Sequence, residues 1–392
     1  MRDVFVVGVG MTEFGKHPEL SLRDLGRQAC RAAIEDAGVK PDEIEAGYCG
    51  NALASVLQQT TSVGQSVFWE VGIHKIPVVN IENACASGST ALHEAWKSVA
   101  GGFCDVAIVL GVEKSVMPKG TALNVGTASL EAQLGDIFPG NFAMMAARHM
   151  EEFGTTREQM AQVSVKNHIS GALNPYAQFQ KILSVEEVLA SPMIADPLTL
   201  YSCCPNSDGA AALVICSADF ASRATSKAIK IAASVLTTGG YDNQRDLTGW
   251  EAERSAAAQA YEIAGLGPED IDCAEVHDAF TICEIVHYEG LGFCPPGEGG
   301  RLIDQGVTAL GGALPVNPSG GLLSKGHPVG ASGVAQIVEL TWQLRNEAGK
   351  RQVADSRVAL AQIMGGSQQG DVCACTVHIL VNEQMPAASC LS

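Results

Sequence analysis

A cysteine framed by small residues, Asn83-Ala84-Cys85-Ala86-Ser87-Gly88, and a distant histidine in Gly326-His327-Pro328-Val329-Gly330 are suited to covalent chemistry. The apolar run Ile76, Val78, Val79 and Ile81 precedes the cysteine, and Ala86 to Ala100 reads as a helix after it. Cys85 is therefore expected at a strand-to-helix junction, where unpaired N–H groups and the helix dipole favour a thiolate. A thiolate with a distant histidine as base is an arrangement for acyl transfer. Two more segments carry histidine or clustered glycines: Glu275-Val276-His277-Asp278-Ala279-Phe280 and Ile363-Met364-Gly365-Gly366-Ser367. Each follows an expected strand, as does Asn317 to Pro328, so these loops should meet Cys85 at one end of the fold.

The elements that must position them are written twice. Ala37-Gly38-Val39-Lys40-Pro41-Asp42-Glu43-Ile44 recurs as Ala264-Gly265-Leu266-Gly267-Pro268-Glu269-Asp270-Ile271. Each copy ends a helix at Ala-Gly, turns at Pro and enters a strand after Ile. The opening strand Val4–Val9 matches Ile229–Val235, Cys104–Gly111 matches Ser356–Gln362, and Asp208–Ile215 matches Gly370–Val377. Strands alternating with amphipathic helices predict an α/β protein built from βαβ units on largely parallel sheets. Two sheets sharing a central helical layer are expected. The first half comprises 1–113 with 206–226, the second 227–392. Residues 114–205 form an insertion with helices near Phe142–Phe153 and Thr156–Leu173, placed to cover a site.

Composition narrows the function. A net charge of −18 argues against nucleic acid or an anionic membrane as the main ligand. Charged residues at 17% hint at a surface covered by a partner. Thirteen cysteines, an odd number without a CxxC pair, suit a reducing compartment and make a zinc site in this chain unexpected. The first residues enter a strand directly, no apolar run is long enough to span a bilayer, and Ser389-Cys390-Leu391-Ser392 is no peroxisomal address. A cytoplasmic protein is expected.

The four motifs, in this order and along the full length of the chain, resemble the thiolase superfamily. Ser164-Val165-Lys166-Asn167-His168, with Asn174-Pro175 after it, is similar to the sterol-carrier-protein-2 and archaeal branch. The resemblance implies a layered αβαβα thiolase fold and a coenzyme-A-dependent acyltransferase. It implies that Cys85 takes up the acyl group as a thioester, that His327 activates the thiol, and that His277 serves an oxyanion hole. It places Phe280 on the pantetheine channel and assigns a second oxyanion hole to the N–H groups of Cys85 and Gly365, with Gly366 beside it.

Two departures stand out. Conventional thiolases seat a second, acid/base cysteine in the last loop, where this chain has Ile363; some relatives seat it where this chain has Ala279. His277, His327, Cys203, Cys204 and Cys283 all remain open for the proton-carrying role. The His-Asp-Ala-Phe pattern resembles thiolases that work beside a small zinc-ribbon/OB-fold partner, and such a branch includes benzoylsuccinyl-CoA thiolases.

The expected function is therefore a thiolase forming or cleaving a bulky or aryl 3-oxoacyl-CoA through Cys85. Coenzyme A is its only cofactor, as a substrate, with no metal in this chain; a homodimer and the small partner are expected. The alternatives are acetyl transfer to a non-CoA carbon acceptor, acetoacetyl-CoA synthesis in a complex, a retro-aldolase with no use for Cys85, and a non-catalytic scaffold subunit. Among the remaining groups, His168, His93 and His287 fall on helical patterns and read as structural or surface residues. His74 is a secondary candidate near a dimer interface and the pocket, and His149 one near the pantetheine arm. Lys325 and Lys166 read as ordinary exposed lysines rather than phosphate contacts.

Overall fold

The computed structural model describes residues 1–116, 133, 135, 137–224, 227–240, 246–368 and 371–383. Part of the insertion (117–132), residue 226 at the expected boundary of the halves, Gly370, and the Ser389–Ser392 terminus lie outside them.

Eleven strands are described: β1 (Val4–Met11), β2 (Ala46–Gly50), β3 (Val78–Ile81), β4 (Val106–Lys114), β5 (Met193–Ala195), β6 (Leu198–Thr199), β7 (Asp208–Ser217), β8 (Ile229–Thr237), β9 (Cys273–Glu275), β10 (Val358–Gln368) and β11 (Asp371–Val381). β5 and β6 form a small hairpin; the other nine make one sheet in the order β3-β2-β4-β7-β1-β8-β11-β10-β9.

The repeat is visible residue by residue. Helix Leu22–Ala37 ends at Gly38 with φ 65°, and helix Glu251–Ala264 ends at Gly265 with φ 68°. Both glycines supply the left-handed cap that other residues adopt at a cost. A 3₁₀ turn beginning at proline follows each, Pro41–Glu43 and Pro268–Asp270, and leads into β2 or β9. Strand β2 lies parallel to β3 and β4, β9 lies parallel to β10, and Val316 bridges Ala274 in parallel.

Two expectations need correction. The sheets are mixed rather than largely parallel: β7 runs antiparallel to β4 and β1, and β11 antiparallel to β10 and β8. A direct return without a crossover helix, as between β10 and β11, can only produce an antiparallel neighbour. The two sheets are also continuous, joined edge to edge where Phe5 and Val6 of β1 pair with Lys230 and Ile229 of β8. The expected central helical layer is present. Helices Ser87–Ala100 and Ser332–Leu344 share one core with side chains from β1 and β4 on one side and β8 and β10 on the other.

The insertion contains helices Phe138–Phe153 and Arg157–Ala172. The second is opened by a capping box between Thr156 and Gln159. It packs against helix Thr281–Gly290 and a single π-helical turn, Gly321–Lys325, and so sits above the strand ends that carry the expected site.

Candidate active site

Cys85 follows β3 and immediately precedes helix Ser87–Ala100, at the expected junction. The approach is tight: Ala84 has φ 47°, a left-handed conformation that small side chains tolerate best. The Ser87 hydroxyl donates to Ala84 O (2.6 Å) and accepts from Asn83 N–H (2.9 Å), which locks the turn.

His327 comes from the second half, and its Nε2 lies 3.3 Å from Cys85 Sγ. Its other nitrogen, Nδ1, is 2.8 Å from Ser332 Oγ. The Ser332 hydroxyl donates its one proton to Pro328 O at 3.1 Å. Ser332 Oγ must therefore accept from Nδ1–H, which leaves the Nε2 lone pair facing the thiol. Ser332 is five residues beyond His327 in the same glycine-rich motif, so a polar partner was there to be noticed.

His277 stands opposite, its ring 5.4 Å from that of His327 and inclined at 64°. Its Nε2 is buried without a partner. Reactive atoms of Cys85, His277 and His327 lie within 4.8 Å of one another, close enough to act on one substrate. The backbone of His277 is pinned on both sides: its N–H donates to Gln362 Oε1 (3.1 Å) and its carbonyl accepts from His287 Nε2 (3.0 Å). His287 Nδ1 is in turn paired with Glu253 Oε1 at 2.6 Å, and Trp250 stacks on the ring. His287 is thus structural, as expected, yet it supports His277 from below.

Gly365 and Gly366 sit inside β10 rather than in a loop, because the strand continues through Ile363–Gln368. Gly365 pairs with Ala374, and a Cβ there would meet Asn83 O at 2.0 Å, so the strand presses against the Cys85 turn. Gly366 has φ 69° and interrupts the pairing, and its N–H, like that of Cys85, is near enough to the sulfur to favour the thiolate. Gly366 thus stands beside the sulfur, next to Gly365, the residue expected with Cys85 at the second oxyanion hole.

Burial dominates the electrostatics of the site. It pushes the Cys85 thiol up to about 12, aided by the nearby Glu113 carboxylate, against the lowering effect of the two amides. Burial also drives His327 down to about 4 and His277 well below its usual range, where His327 and His287 add to the effect. The expected thiolate is thus corrected to a neutral thiol facing a neutral imidazole. Glu113 itself accepts from Asn51 Nδ2 and from the N–H groups of Ala52, Leu53 and Gly330, tying β4 to the glycines after His327. No motif marked it in the sequence.

These groups open onto a cavity of about 270 Å³ lined by Phe138, Phe142, Phe280, Trp250, Leu200 and Met364, with Cys203, Cys204 and Cys283 also on its wall. Phe280 stacks on Phe142 at 4.5 Å, so the inserted helix supplies part of the wall. Lys325 and Lys166 are not exposed: at 1% and 5% exposure they are ion-paired to Glu275 and Glu284 beneath the site. His149 is enclosed between Thr155 and Glu289, away from the cavity. His74 is exposed beside Trp69 near the edge strand β3. No helix among the described residues is long and apolar enough to cross a membrane.

Comparison with known proteins agrees with this arrangement. Residues 4–219 match the thiolase N-terminal domain and residues 233–379 the thiolase C-terminal domain-like family. The acetyl-CoA acetyltransferase of Methanothermobacter thermautotrophicus is 45% identical over 94% of this chain and 97% of its own. The benzoylsuccinyl-CoA thiolase subunit BbsB of Thauera aromatica is 41% identical over 93% and 95%. Among solved structures, the Ltp2-ChsH2(DUF35) aldolase superposes with a TM-score of 0.85 at 26% identity, covering 98% of this chain and 99% of that one. The chain belongs to the thiolase family and is a coenzyme-A-dependent acyltransferase.

Proposed function

We propose that the enzyme forms and cleaves a 3-oxoacyl-CoA through an acyl thioester on Cys85. The observation that carries this reading is the 3.3 Å approach of His327 Nε2 to the Cys85 sulfur, with Ser332 holding the imidazole in its accepting tautomer. In the cleavage direction Cys85 Sγ attacks the 3-oxo carbon as its proton passes to His327 Nε2. The oxygen that gains charge faces the Cys85 and Gly366 amides, which act as fixed donors. Collapse of this adduct breaks the bond between C2 and C3. The acyl group stays on Cys85, and the electron pair leaves as the enolate of the shorter acyl-CoA, whose oxygen is met by His277 Nε2. Coenzyme A thiol then attacks the thioester carbonyl and releases the second acyl-CoA. Condensation is the same path reversed.

The apolar, aromatic wall of Phe138, Phe142, Trp250 and Phe280 supports a bulky or aryl acyl group. The acetyl-CoA acetyltransferase relative keeps the acetyl group as the competing substrate. A small zinc-ribbon/OB-fold partner is supported by the solved DUF35-containing relative, and by the designation of another relative as a subunit. The β3 edge, which has no outer neighbour among the described strands and is flanked by exposed Val79 and Trp69, supports pairing with a second copy in a homodimer. Free thiols such as Cys30, Cys49, Cys85 and Cys216 support a reducing compartment, the cytoplasm.

Intact-protein mass spectrometry after incubation with acetyl-, succinyl-, benzoyl- and 3-oxoacyl-CoA tests the reading. An adduct that disappears in Cys85→Ser supports the covalent route, and its mass identifies the acyl group. No adduct on the native protein, alone or with a co-purifying partner, overturns it.

A further inference from the structure

Making or breaking a carbon–carbon bond beside a thioester requires a proton to move at the α-carbon. In the reading above, on which this inference rests, Cys85 holds the acyl group and His327 serves Cys85. His277 Nε2 is assigned to the enolate oxygen, which commits that imidazole to donating there. Another group on the cavity wall must carry the α-proton.

The other wall candidates are largely committed. Both nitrogens of His287 are bonded, to Glu253 and to the His277 carbonyl. Cys203 Sγ donates to Thr199 O at 3.3 Å. Cys283 is 1% exposed. Asp371 is engaged by Gly240 N–H and Val372 N–H. Ile363 is packed with Ala86 and Ala374, and Ala279 presents only a methyl group.

Cys204 differs from all of these. It lines the cavity, is partly open to it, and its thiol has no hydrogen-bond partner among the described residues. Its placement is built in. Cys204 N–H donates to Ala279 O at 2.9 Å, Cys203 bridges Phe280, and Asn206 bridges His327. The segment returning from the insertion is thereby threaded between the His277–Phe280 turn and His327, next to Ala279. The unpartnered His277 Nε2, buried on the same cavity, marks where a substrate oxygen is expected.

We propose that Cys204 is the catalytic acid/base at the α-carbon, delivered by the inserted segment rather than by either half of the repeat. In cleavage, Cys204 S–H gives its proton to C2 of the departing enolate, forming the new C–H bond and leaving the electron pair on Cys204 Sγ. That thiolate accepts the proton of the incoming coenzyme A thiol, whose sulfur attacks the Cys85 thioester. The Cys85 thiolate so released takes back the proton held on His327 Nε2, so every group ends as it began. Burial and the neighbouring Cys203 and Cys85 hold Cys204 well above the usual thiol range, so it starts protonated, as the cleavage step needs.

The test separates acylation from α-proton transfer. Native enzyme, Cys204→Ala, Cys204→Ser and Cys283→Ala are incubated with acetyl-CoA in D₂O. Deuterium entry into the acetyl methyl group is followed by NMR, and Cys85 acylation by intact mass. Cys204→Ala is expected to keep the Cys85 adduct, which also reports a folded site, while exchange and turnover fall about 10²-fold or more. Cys204→Ser, nearly isosteric, is expected to lose exchange as well, and Cys283→Ala to retain it. Exchange within about threefold of native in either Cys204 variant overturns the assignment. Absence of an adduct on the native protein overturns the thioester reading, and this inference with it.

Discussion

His277 and His327 face each other edge to face with ring centroids 5.4 Å apart, yet their inner nitrogens are in opposite states. His327 Nε2 is bonded to the Cys85 sulfur, whereas His277 Nε2 is buried and unpartnered. In the proposed mechanism one imidazole serves the Cys85 thiol and the other is kept for the substrate.

Replacing each should therefore damage a different step. His327→Ala is expected to slow Cys85 acylation about 10²–10⁴-fold, because the thiol loses its base. His277→Ala should preserve acylation by an activated acyl-CoA and lower carbon–carbon cleavage about 10²–10³-fold, as loss of an oxyanion donor does. Rapid-quench acylation set beside steady-state turnover distinguishes the two; equal losses in both steps for His277→Ala would contradict the division.

The neutral thiol–imidazole pair has a pH signature. With Cys85 pushed up to about 12, its alkylation by iodoacetamide should keep rising from pH 6 to 9 and show no plateau. An ion pair would instead plateau in that range. Stability carries the matching sign. His327 is held down to about 4 in the folded chain, so between there and its unfolded value near 6.5 only the unfolded state binds the proton. Its contribution is fully present above about pH 6.5 and is lost as pH falls towards 4, a loss of about 3 kcal/mol measurable by urea denaturation at each pH.

Ser332 sets which nitrogen of His327 is protonated. Ser332→Ala removes the acceptor for Nδ1–H and lets the other tautomer turn a proton towards the sulfur. We expect acylation to fall about tenfold or more, with a stability change of only about 1 kcal/mol. A large loss of thermal stability with unchanged acylation per folded molecule would argue for a purely structural role.

Gly365 should admit no side chain. A Cβ placed 2.0 Å from Asn83 O must displace either β10 or the Cys85 turn. Gly365→Ala is expected to cost about 1–3 kcal/mol of stability and to reduce acylation, read by calorimetry and intact mass.

Lys166 tests the buried network instead of the coenzyme. Its amino group meets Glu284 Oε1 at 2.6 Å and Val316 O at 2.6 Å. Lys166→Met strands the Glu284 carboxylate and should destabilise the protein by about 3–5 kcal/mol, while KM for coenzyme A in the folded fraction stays unchanged. A raised KM with native stability would restore a phosphate-binding role.

What could be read in the sequence was local. The Ala-Gly caps at Gly38 and Gly265, the proline turns after them, and the placement of Cys85 between strand and helix all depend on neighbours within a few residues. The pairing of Cys85 with His327 was legible because each sits in a motif of small residues. The departures arise where distant chain decides. Ile363–Ser367 looked like a loop because glycines break strands, but β11 pairs with it and the glycines admit the Cys85 turn. Lys325 and Lys166 looked exposed because their carboxylate partners, Glu275 and Glu284, lie far away in sequence. The thiol's protonation state followed the low-dielectric surroundings and Glu113, neither visible in the local pattern around Cys85.

The seam between β1 and β8 has a consequence for when the molecule becomes reactive. Cys85 belongs to the first repeat, His277, His327 and Gly366 to the second, and the segment bearing Cys204 to neither. A chain emerging from synthesis thus carries its sulfur long before its imidazoles exist. Until both repeats have docked, acyl-CoA meets a thiol without His327 and with only the Cys85 amide of the donor pair. The catalytic set is complete only when the whole chain has folded.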